Sequence, residues 1–178
     1  LWPVWFLVTL LAFASFVGGL LLRTSKRTDL ASLPLVDLFR SDKDLVLDAG
    51  CGGGRAQLER NLRLAGLTER VHIEKGDLTA LTFADAHFDS AVSAHVIDHL
   101  KQHKKTALAE IYRVRKPGGR FLLVVWVPGW ATFSLAYVFC WLLTSKAGWR
   151  TLTRQVGFTI KDEGTFNGMW FAVLERPG

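Results

Sequence analysis

The sequence has few cysteines, and they lie far apart. Its 178 residues include Cys51 in a glycine-rich stretch and Cys140 in an apolar stretch, and no others. Two cysteines so placed do not give the disulfide framework of a small secreted domain, and no cluster of residues has the spacing of metal ligands. We therefore predict no metal site and expect a reducing compartment.

Dense basic runs with interleaved aromatic residues, which are typical of nucleic-acid-binding proteins, are also absent. The net charge is +6, from 22 basic and 16 acidic residues. Such a balance suits either a nucleic acid or the anionic face of a membrane. The most basic stretch, residues 101–105, is short, and we interpret it as the solvated start of a helix. No nucleic-acid partner is predicted, and the oligomeric state is left open.

Residues 1–22 contain no charged side chain. A helix of this length spans about 33 Å, close to the roughly 30 Å hydrocarbon core of a bilayer. Trp2 and Trp5 lie at one end, where aromatic residues favour the interface, and Arg23 and Arg27 follow the other end. The pattern predicts a single transmembrane helix in the lipid bilayer, with the rest of the chain on the cytoplasmic side. A cleaved signal peptide and a buried core helix are the alternatives.

A second apolar stretch follows later in the chain. Residues 120–126 are typical of a buried parallel strand, which Pro128 and Gly129 bring to an end. Residues 130–143 form an apolar helix candidate that is too short to span a bilayer comfortably. This helix lies either at the membrane interface or against the sheet, and its aromatic residues, which occur all round, do not decide between the two.

Strand and helix patterns alternate along the rest of the chain, as in an α/β domain with a parallel sheet. We predict a transmembrane helix at 1–22, a connector at 23–40 and a domain at 41–178, with an apolar insert at about 127–145. The last two strands are predicted to be an antiparallel pair. The predicted strands are 45–48, 71–75, 89–94, 120–126, 158–163 and 169–175, and the predicted helices are 57–65, 104–115 and 146–156.

The first predicted strand runs directly into a glycine-rich loop. Glycines let the backbone turn sharply and approach a ligand, and the next helix presents free N–H groups at its N-terminus. The G-x-G-x-G spacing is tighter than the dinucleotide pattern, which argues against a nicotinamide-dependent oxidoreductase. Asp48 precedes the first glycine by two residues, where a carboxylate can attract an ammonium group of a cofactor. The predicted cofactor-binding residues of this loop are Asp48, Ala49, Gly50, Cys51, Gly52 and Gly54.

Together with three further segments, this loop resembles class I S-adenosylmethionine-dependent methyltransferases, in particular the small-molecule and lipid group. Residues 76–83 resemble the exit of that family's third strand, residues 88–95 its fourth strand, and residues 110–120 the turn before its fifth. The resemblance implies a Rossmann-like, doubly wound sheet with an antiparallel last strand and S-adenosylmethionine as the cofactor. It also implies that Asp77 and Leu78 lie near the adenine, and that Ala94 and His95 lie near the methyl group.

The sequence departs from this family at the second strand, whose final acid holds the ribose hydroxyls. The stretch from Gly54 to Val71 has room for one helix but not for helix, strand and helix. Either a segment near residues 55–57 is missing from the sequence, or the protein lacks the strand. We favour a missing segment, which an unbroken Cα spacing of about 3.8 Å from Gly54 to Leu58 would contradict.

Three polar residues that follow the fourth strand of the family pattern are the catalytic candidates. Methyl transfer needs a well-placed nucleophile, and a general base helps where that nucleophile carries a proton. His95 lies at the strand exit, and Asp98 and His99 lie within one helical turn of it. An Asp-assisted histidine base is one interpretation, and a loop that merely lines the cofactor pocket is the other.

These observations favour an enzyme that transfers a methyl group from S-adenosylmethionine to a lipophilic or membrane-associated small molecule. The apolar first segment and the apolar insert are the reason for predicting a lipophilic or membrane-associated substrate. The alternative is a non-catalytic methyltransferase-like module that serves as an interaction platform at a membrane.

Overall fold

A computed structural model describes residues 44–50, 68–129, 142–166 and 168–178, together with residues 9, 10, 13, 17, 59, 60, 63, 64, 66 and 132. Within these ranges the regular elements alternate in the manner of an α/β domain. The strands are β1 (Val46–Asp48), β2 (Phe88–Ala94), β3 (Arg115–Trp126), β4 (Thr159–Phe166) and β5 (Met169–Glu175). The helices are α1 (Lys104–Val114) and α2 (Lys146–Val156), with 3-10 turns at Thr68–Arg70 and Ile97–His103.

The five strands form one mixed sheet in the order β1-β2-β3-β5-β4. β1, β2 and β3 are parallel, whereas β5 is antiparallel to both β3 and β4. Asp48 pairs with Val92, and Ala94 pairs with Val124, so the three parallel strands end at the same edge of the sheet. The predicted α/β sheet with an antiparallel last strand is confirmed for the described strands.

The core is built around β3, which is buried on both faces. Alternate residues of a strand point to opposite faces. Phe121, Leu123 and Val125 accordingly belong to a buried cluster that includes Ile111 of α1 and Trp149 of α2. On the other face, Leu122 and Val124 pack with Val173 of β5. A continuous apolar run is therefore the expected sequence of this central strand.

Helix α2 has the bounds that the sequence predicts. The hydroxyl of Ser145 accepts a hydrogen bond from the backbone N–H of Gly148 and caps the first turn. Gly157 ends the helix with a left-handed φ of 108°, and its N–H donates to the carbonyl of Arg154. These local signals, which are read from single residues, fix both ends of the helix.

Two element predictions are wrong. Residues 71–75 form no strand, since only an isolated bridge between Asp77 and Ala80 occurs there. A strand needs a hydrogen-bonded neighbour, and no described strand lies beside this segment. β3 begins at Arg115 rather than at residue 120, because Arg115 already pairs with Phe88 across a register shift. The helix before it therefore ends at Val114.

Of the predicted transmembrane helix, Thr9, Leu10, Phe13 and Val17 are described, and all four are helical. Leu10 is 54% exposed and Phe13 is 66% exposed. No helix in the described part of the chain is long and apolar enough to cross a membrane. The rest of residues 1–22, the connector at 23–40 and most of the apolar insert lie outside the described residues.

A charged contact joins α2 to the β4–β5 hairpin. The guanidinium of Arg150 donates to both carboxylate oxygens of Glu163, with Nη2 2.7 Å from Oε1. The indole N–H of Trp170 donates to the same carboxylate over 3.0 Å. These hydrogen bonds, with that from Arg150 the stronger, lower the pKa of Glu163.

We expect Glu163→Gln to lower the free energy of unfolding by about 1 kcal/mol at pH 7, because both partners are partly exposed. A carboxyl with a lowered folded-state pKa adds stability above its unfolded pKa and loses it as the pH falls through the folded one. The difference between the two proteins should therefore shrink as the pH falls below the ordinary glutamate pKa of about 4.3. Urea unfolding at pH 7 and at a series of lower pH values measures it, and an undiminished difference in acid would contradict the assignment.

Candidate active site

The ends of β1 and β2 are tied together at the edge of the sheet where the parallel strands finish. The backbone N–H of Ala49 donates to the carbonyl of Val92 over 2.8 Å. The hydroxyl of Ser93 donates to the carbonyl of Ala49 over 2.9 Å, and both residues are buried. Crevices at this edge, beyond the carboxyl ends of parallel strands, are where open α/β sheets bind ligands.

Gly50 begins the glycine-rich loop and shows why glycine is needed there. Its φ is +110°, which side chains of L-residues rarely adopt. A Cβ at this position would lie 2.5 Å from Cγ2 of Val96, well inside contact distance. The loop backbone therefore packs directly on the segment that follows β2. Cys51, Gly52 and Gly54 lie outside the described residues.

Asp48 ends β1 beside this loop. The residue as a whole is exposed, but partial burial of its carboxyl raises its pKa. Desolvation penalises the charged form, whereas a nearby cation stabilises it. A cationic ammonium group at this place would therefore reverse the penalty, and Asp48 fits the role that the sequence predicts.

Asp77 and Leu78 form a tight turn further along the chain. Oδ1 of Asp77 accepts hydrogen bonds from the backbone N–H and the hydroxyl of Thr79, at 2.8 Å and 2.7 Å. Both bonds lower the pKa of this exposed carboxyl. Leu78 is half-buried and packs against the core. The turn holds Asp77 at the surface while its neighbour fixes the segment to the domain.

The loop after this turn is held by two residues of α1 that the sequence analysis missed. Glu110 accepts from the N–H of Leu81 over 2.8 Å. Arg113 donates to the carbonyls of Leu81 and Phe83, both over 2.9 Å. Glu110 and Arg113 also pair with each other, and their i, i+3 spacing on a helix was the available signal.

His95 follows Ala94 at the end of β2 and has a left-handed backbone, with a φ of 59°. Its N–H donates to the carbonyl of Val124 over 2.9 Å, which fixes it to β3. The imidazole lies 5.4 Å from the indole of Trp126, measured between ring centroids. Non-glycine residues with such a backbone are uncommon and cluster at functional sites.

Asp98 lies against the same tryptophan. Its Oδ2 accepts a long hydrogen bond, 3.5 Å, from the backbone N–H of Trp126. Among the described atoms, Oδ1 of Asp98 and Nδ1 of His95 are both buried and without a hydrogen-bond partner. The expected hydrogen bond between an aspartate and Nδ1 of the histidine is therefore not formed. His99 is exposed.

Lys104 connects this region to the end of the apolar insert. Its ammonium donates to the hydroxyl of Thr144 over 2.7 Å and lies 5.3 Å from the ring centre of Trp149. Burial lowers its pKa, and the charge of Asp98 opposes that shift. The lysine thus links α1 to the segment that precedes α2, close to Asp98.

Comparisons with known proteins agree with this arrangement. A family model described as "Methyltransferase domain" matches residues 55–123. A protein of Encephalitozoon cuniculi that is named as a methyltransferase is 32% identical, with 79% of this chain and 82% of that protein aligned. The sterol 24-C-methyltransferase of Eremothecium gossypii is 36% identical over 47% of this chain, which corresponds to 28% of its own length.

Solved structures of methyltransferases have a similar fold. The crystal structure of an S-adenosylmethionine-dependent methyltransferase from Methanosarcina mazei superposes with a TM-score of 0.59 and 18% identity. The superposition covers 81% of this chain and 97% of that one. The chain therefore belongs to the S-adenosylmethionine-dependent methyltransferases. It is an enzyme whose cofactor is S-adenosylmethionine, which decides against a purely non-catalytic module.

The alignment with the Encephalitozoon cuniculi protein contains gaps in this chain. It extends over 176 positions but contains 79% of this 178-residue chain, so it must include positions that the relative has and this chain lacks. The family model begins to match at residue 55, directly after Gly54. Residues 51–58 lie outside the described part, so the Cα spacing there stays a prediction.

Proposed function

We propose that this enzyme methylates a lipophilic or membrane-associated small molecule and works at the surface of a bilayer. The observation that carries this proposal is the exposure of Leu10 and Phe13. Both residues are helical and their side chains are exposed. They are three residues apart, a spacing that puts two helical residues on one face, and the segment around them has no charged side chain. Exposed apolar side chains on such a segment are best covered by lipid.

Two further observations support a lipid-associated substrate. Leu142, near the end of the apolar insert, is 79% exposed. One relative is a sterol 24-C-methyltransferase, and sterols are lipids. The positive-inside pattern of Arg23 and Arg27 supports a cytoplasmic position of the enzyme domain, and the net charge of +6 supports contact with an anionic membrane surface.

The residues at the sheet edge fit S-adenosylmethionine. When bound, this cofactor supplies a methyl group that is ready for transfer to a nucleophile. Asp48 is placed to pair with the ammonium of its methionine part, and the backbone of Gly50 allows close approach. His95 follows the end of β2, and Trp126 ends β3. Val96, the residue after His95, contacts Gly50 of the loop. Orientation and exclusion of water by such a site supply much of the rate of a methyl transfer.

Vesicle flotation of the full chain tests the membrane part of the proposal. Vesicles of phosphatidylcholine and phosphatidylglycerol should carry the protein, and the double variant Leu10→Arg/Phe13→Arg should float at least about tenfold less, because buried arginines are costly in lipid. Leu64→Arg is the matched control, since Leu64 is 82% exposed and lies outside the apolar segment. Equal flotation of the double variant and the wild type would contradict the proposal.

The substrate part needs a second measurement. The protein is incubated with a membrane lipid extract and S-adenosylmethionine that carries a labelled methyl group. We expect the label to move into the organic phase and the product to migrate with the lipids in chromatography. Label that moves only into water-soluble molecules would leave the enzyme class intact and exclude a lipophilic substrate.

A further inference from the structure

Two buried polar atoms at the acceptor side of the site have no partner among the described atoms. They are Nδ1 of His95 and Oδ1 of Asp98. Buried polar atoms are almost always hydrogen-bonded, and exceptions call for an explanation. Both residues touch Trp126, His95 through its ring and Asp98 through the backbone N–H of the tryptophan. The two atoms therefore belong to side chains that both contact Trp126, one at its ring and one at its backbone.

The neighbouring cation does not satisfy Asp98. Lys104 acts on it through its charge, but the ammonium of Lys104 donates to Thr144 and lies over Trp149. The carboxylate thus keeps one oxygen for another donor. The position of the pair is also fixed, because the N–H of His95 is bonded to Val124 and Val96 packs on Gly50. His95 precedes Val96 by one residue and Asp98 follows it by two, so both lie close in the chain to the contact with the glycine-rich loop.

The chemistry of this cluster suits an amine. A carboxylate only accepts hydrogen bonds, and an imidazole nitrogen without a proton does the same, so two such atoms call for two donors. An amine or ammonium group has two or more N–H donors, whereas a hydroxyl has one. An indole face also attracts cations, and methylation leaves the positive charge of an ammonium group in place.

We propose that His95, Asp98 and Trp126 bind the amino group of a lipophilic amine, so that the enzyme is an N-methyltransferase. This inference rests on the proposed methyltransferase function and names its substrate class. The acceptor ammonium donates to Oδ1 of Asp98 and gives one proton to Nδ1 of His95. The freed lone pair on nitrogen then forms a bond to the methyl carbon, while the carbon–sulfur bond breaks and its electron pair stays on sulfur.

Binding of two small ligands with the same apolar body tests the proposal. Phenethylamine and 2-phenylethanol are titrated by calorimetry into the full chain saturated with S-adenosylhomocysteine. Phenethylamine should bind at least about tenfold more tightly, because a site with buried polar groups rejects a ligand that leaves one unpaired. Equal affinity, or no binding of phenethylamine, would overturn the inference. Failure of S-adenosylhomocysteine to bind would instead overturn the proposed function.

Variants of Asp98 and His95 test whether these two residues cause the preference for the amine over the alcohol. Asp98→Asn and His95→Asn should each reduce the ratio of the two affinities to about threefold or less. Asparagine is chosen at His95 because it tolerates a left-handed backbone. His72→Asn is the matched control, since the side chain of His72 is 85% exposed. A ratio that survives in both variants would overturn the inference.

The pH dependence separates a proton-accepting role of His95 from a structural one. In His95→Asn, transfer of a labelled methyl group to phenethylamine should be slowed at pH 7. The loss should shrink as the pH approaches about 10, where alkylamines lose their proton without a base. A loss that is constant with pH would assign His95 to structure and overturn its part in the step.

A last arm identifies the source of the amine. Vesicles in which phosphatidylethanolamine is the sole primary amine are offered to the enzyme with labelled cofactor. Label in the headgroup identifies an amino lipid as the acceptor class. Label in phenethylamine alone identifies a free lipophilic amine, and label in neither would overturn the proposal.

Discussion

Gly50→Ala is expected to weaken the binding of S-adenosylmethionine about tenfold to a hundredfold and to lower the free energy of unfolding by about 2–4 kcal/mol. Two effects add. A residue with a Cβ is strained at a φ of +110°, and the Cβ would lie 2.5 to 2.8 Å from three side-chain atoms of Val96. Relief requires the loop backbone to move, and that backbone borders the cofactor. Calorimetry and thermal unfolding measure the two effects.

Two matched variants divide this prediction into its parts. Gly118→Ala introduces the same strain at a φ of +71° with no atom within 4 Å, so it should cost about 1 kcal/mol and leave cofactor affinity unchanged. Val96→Ala combined with Gly50→Ala removes the clashing methyl groups and should recover part of the affinity. If the double variant binds S-adenosylmethionine no better than Gly50→Ala does, a clash with Val96 is not the reason that this position needs glycine.

Arg113→Ala is expected to destabilise the fold more than the loss of one surface ion pair does, and to weaken cofactor binding about threefold to tenfold. The guanidinium donates to two backbone carbonyls, of Leu81 and Phe83, and to the carboxylate of Glu110. Hydrogen bonds to charged groups contribute more than neutral ones, and their loss leaves partly buried carbonyls without a donor. The turn at Asp77 precedes this loop directly, so loosening the loop should affect the adenine end of the site.

Lys116→Ala is the control for Arg113→Ala. Lys116 pairs with Asp89 over 2.7 Å, but the lysine side chain is 46% exposed, so its loss should cost less than about 1 kcal/mol. Denaturant unfolding and calorimetry with S-adenosylhomocysteine compare the two variants. If Arg113→Ala and Lys116→Ala behave alike, the loop is held by something other than the guanidinium.

The sequence predicts the parts of this enzyme that depend on local patterns. The helix at α2 follows from its Ser145 cap and its Gly157 stop, and the central strand follows from an apolar run. At Gly50, the one described glycine of the loop, the chain turns directly after β1, as the glycine pattern predicts. The contact between Gly50 and Val96, however, joins residues 46 positions apart, and no spacing in the sequence predicts it.

The remaining errors and omissions come from long-range pairing. Residues 71–75 have the pattern of a strand, but a strand exists only where a neighbour completes its hydrogen bonds. Arg115 pairs with Phe88 and so extends β3 through Pro117 and Gly118, which are turn signals when they are read alone. The relation of Trp126 to His95 and Asp98 could not be predicted, because it depends on how two loops meet.

The contact between Gly50 and Val96 has a consequence for how this enzyme can diverge. Val96 contacts Gly50 of the glycine-rich loop and lies in the chain between His95 and Asp98, for which we propose contacts with the methyl acceptor. A substitution of Val96 that favours a new methyl acceptor should also shift the glycine-rich loop. A gain in affinity for the acceptor is then coupled to a loss of affinity for S-adenosylmethionine. New acceptor specificity is therefore expected to arise first at Trp126 and Asp98, which lack that contact, and Val96 is expected to change late.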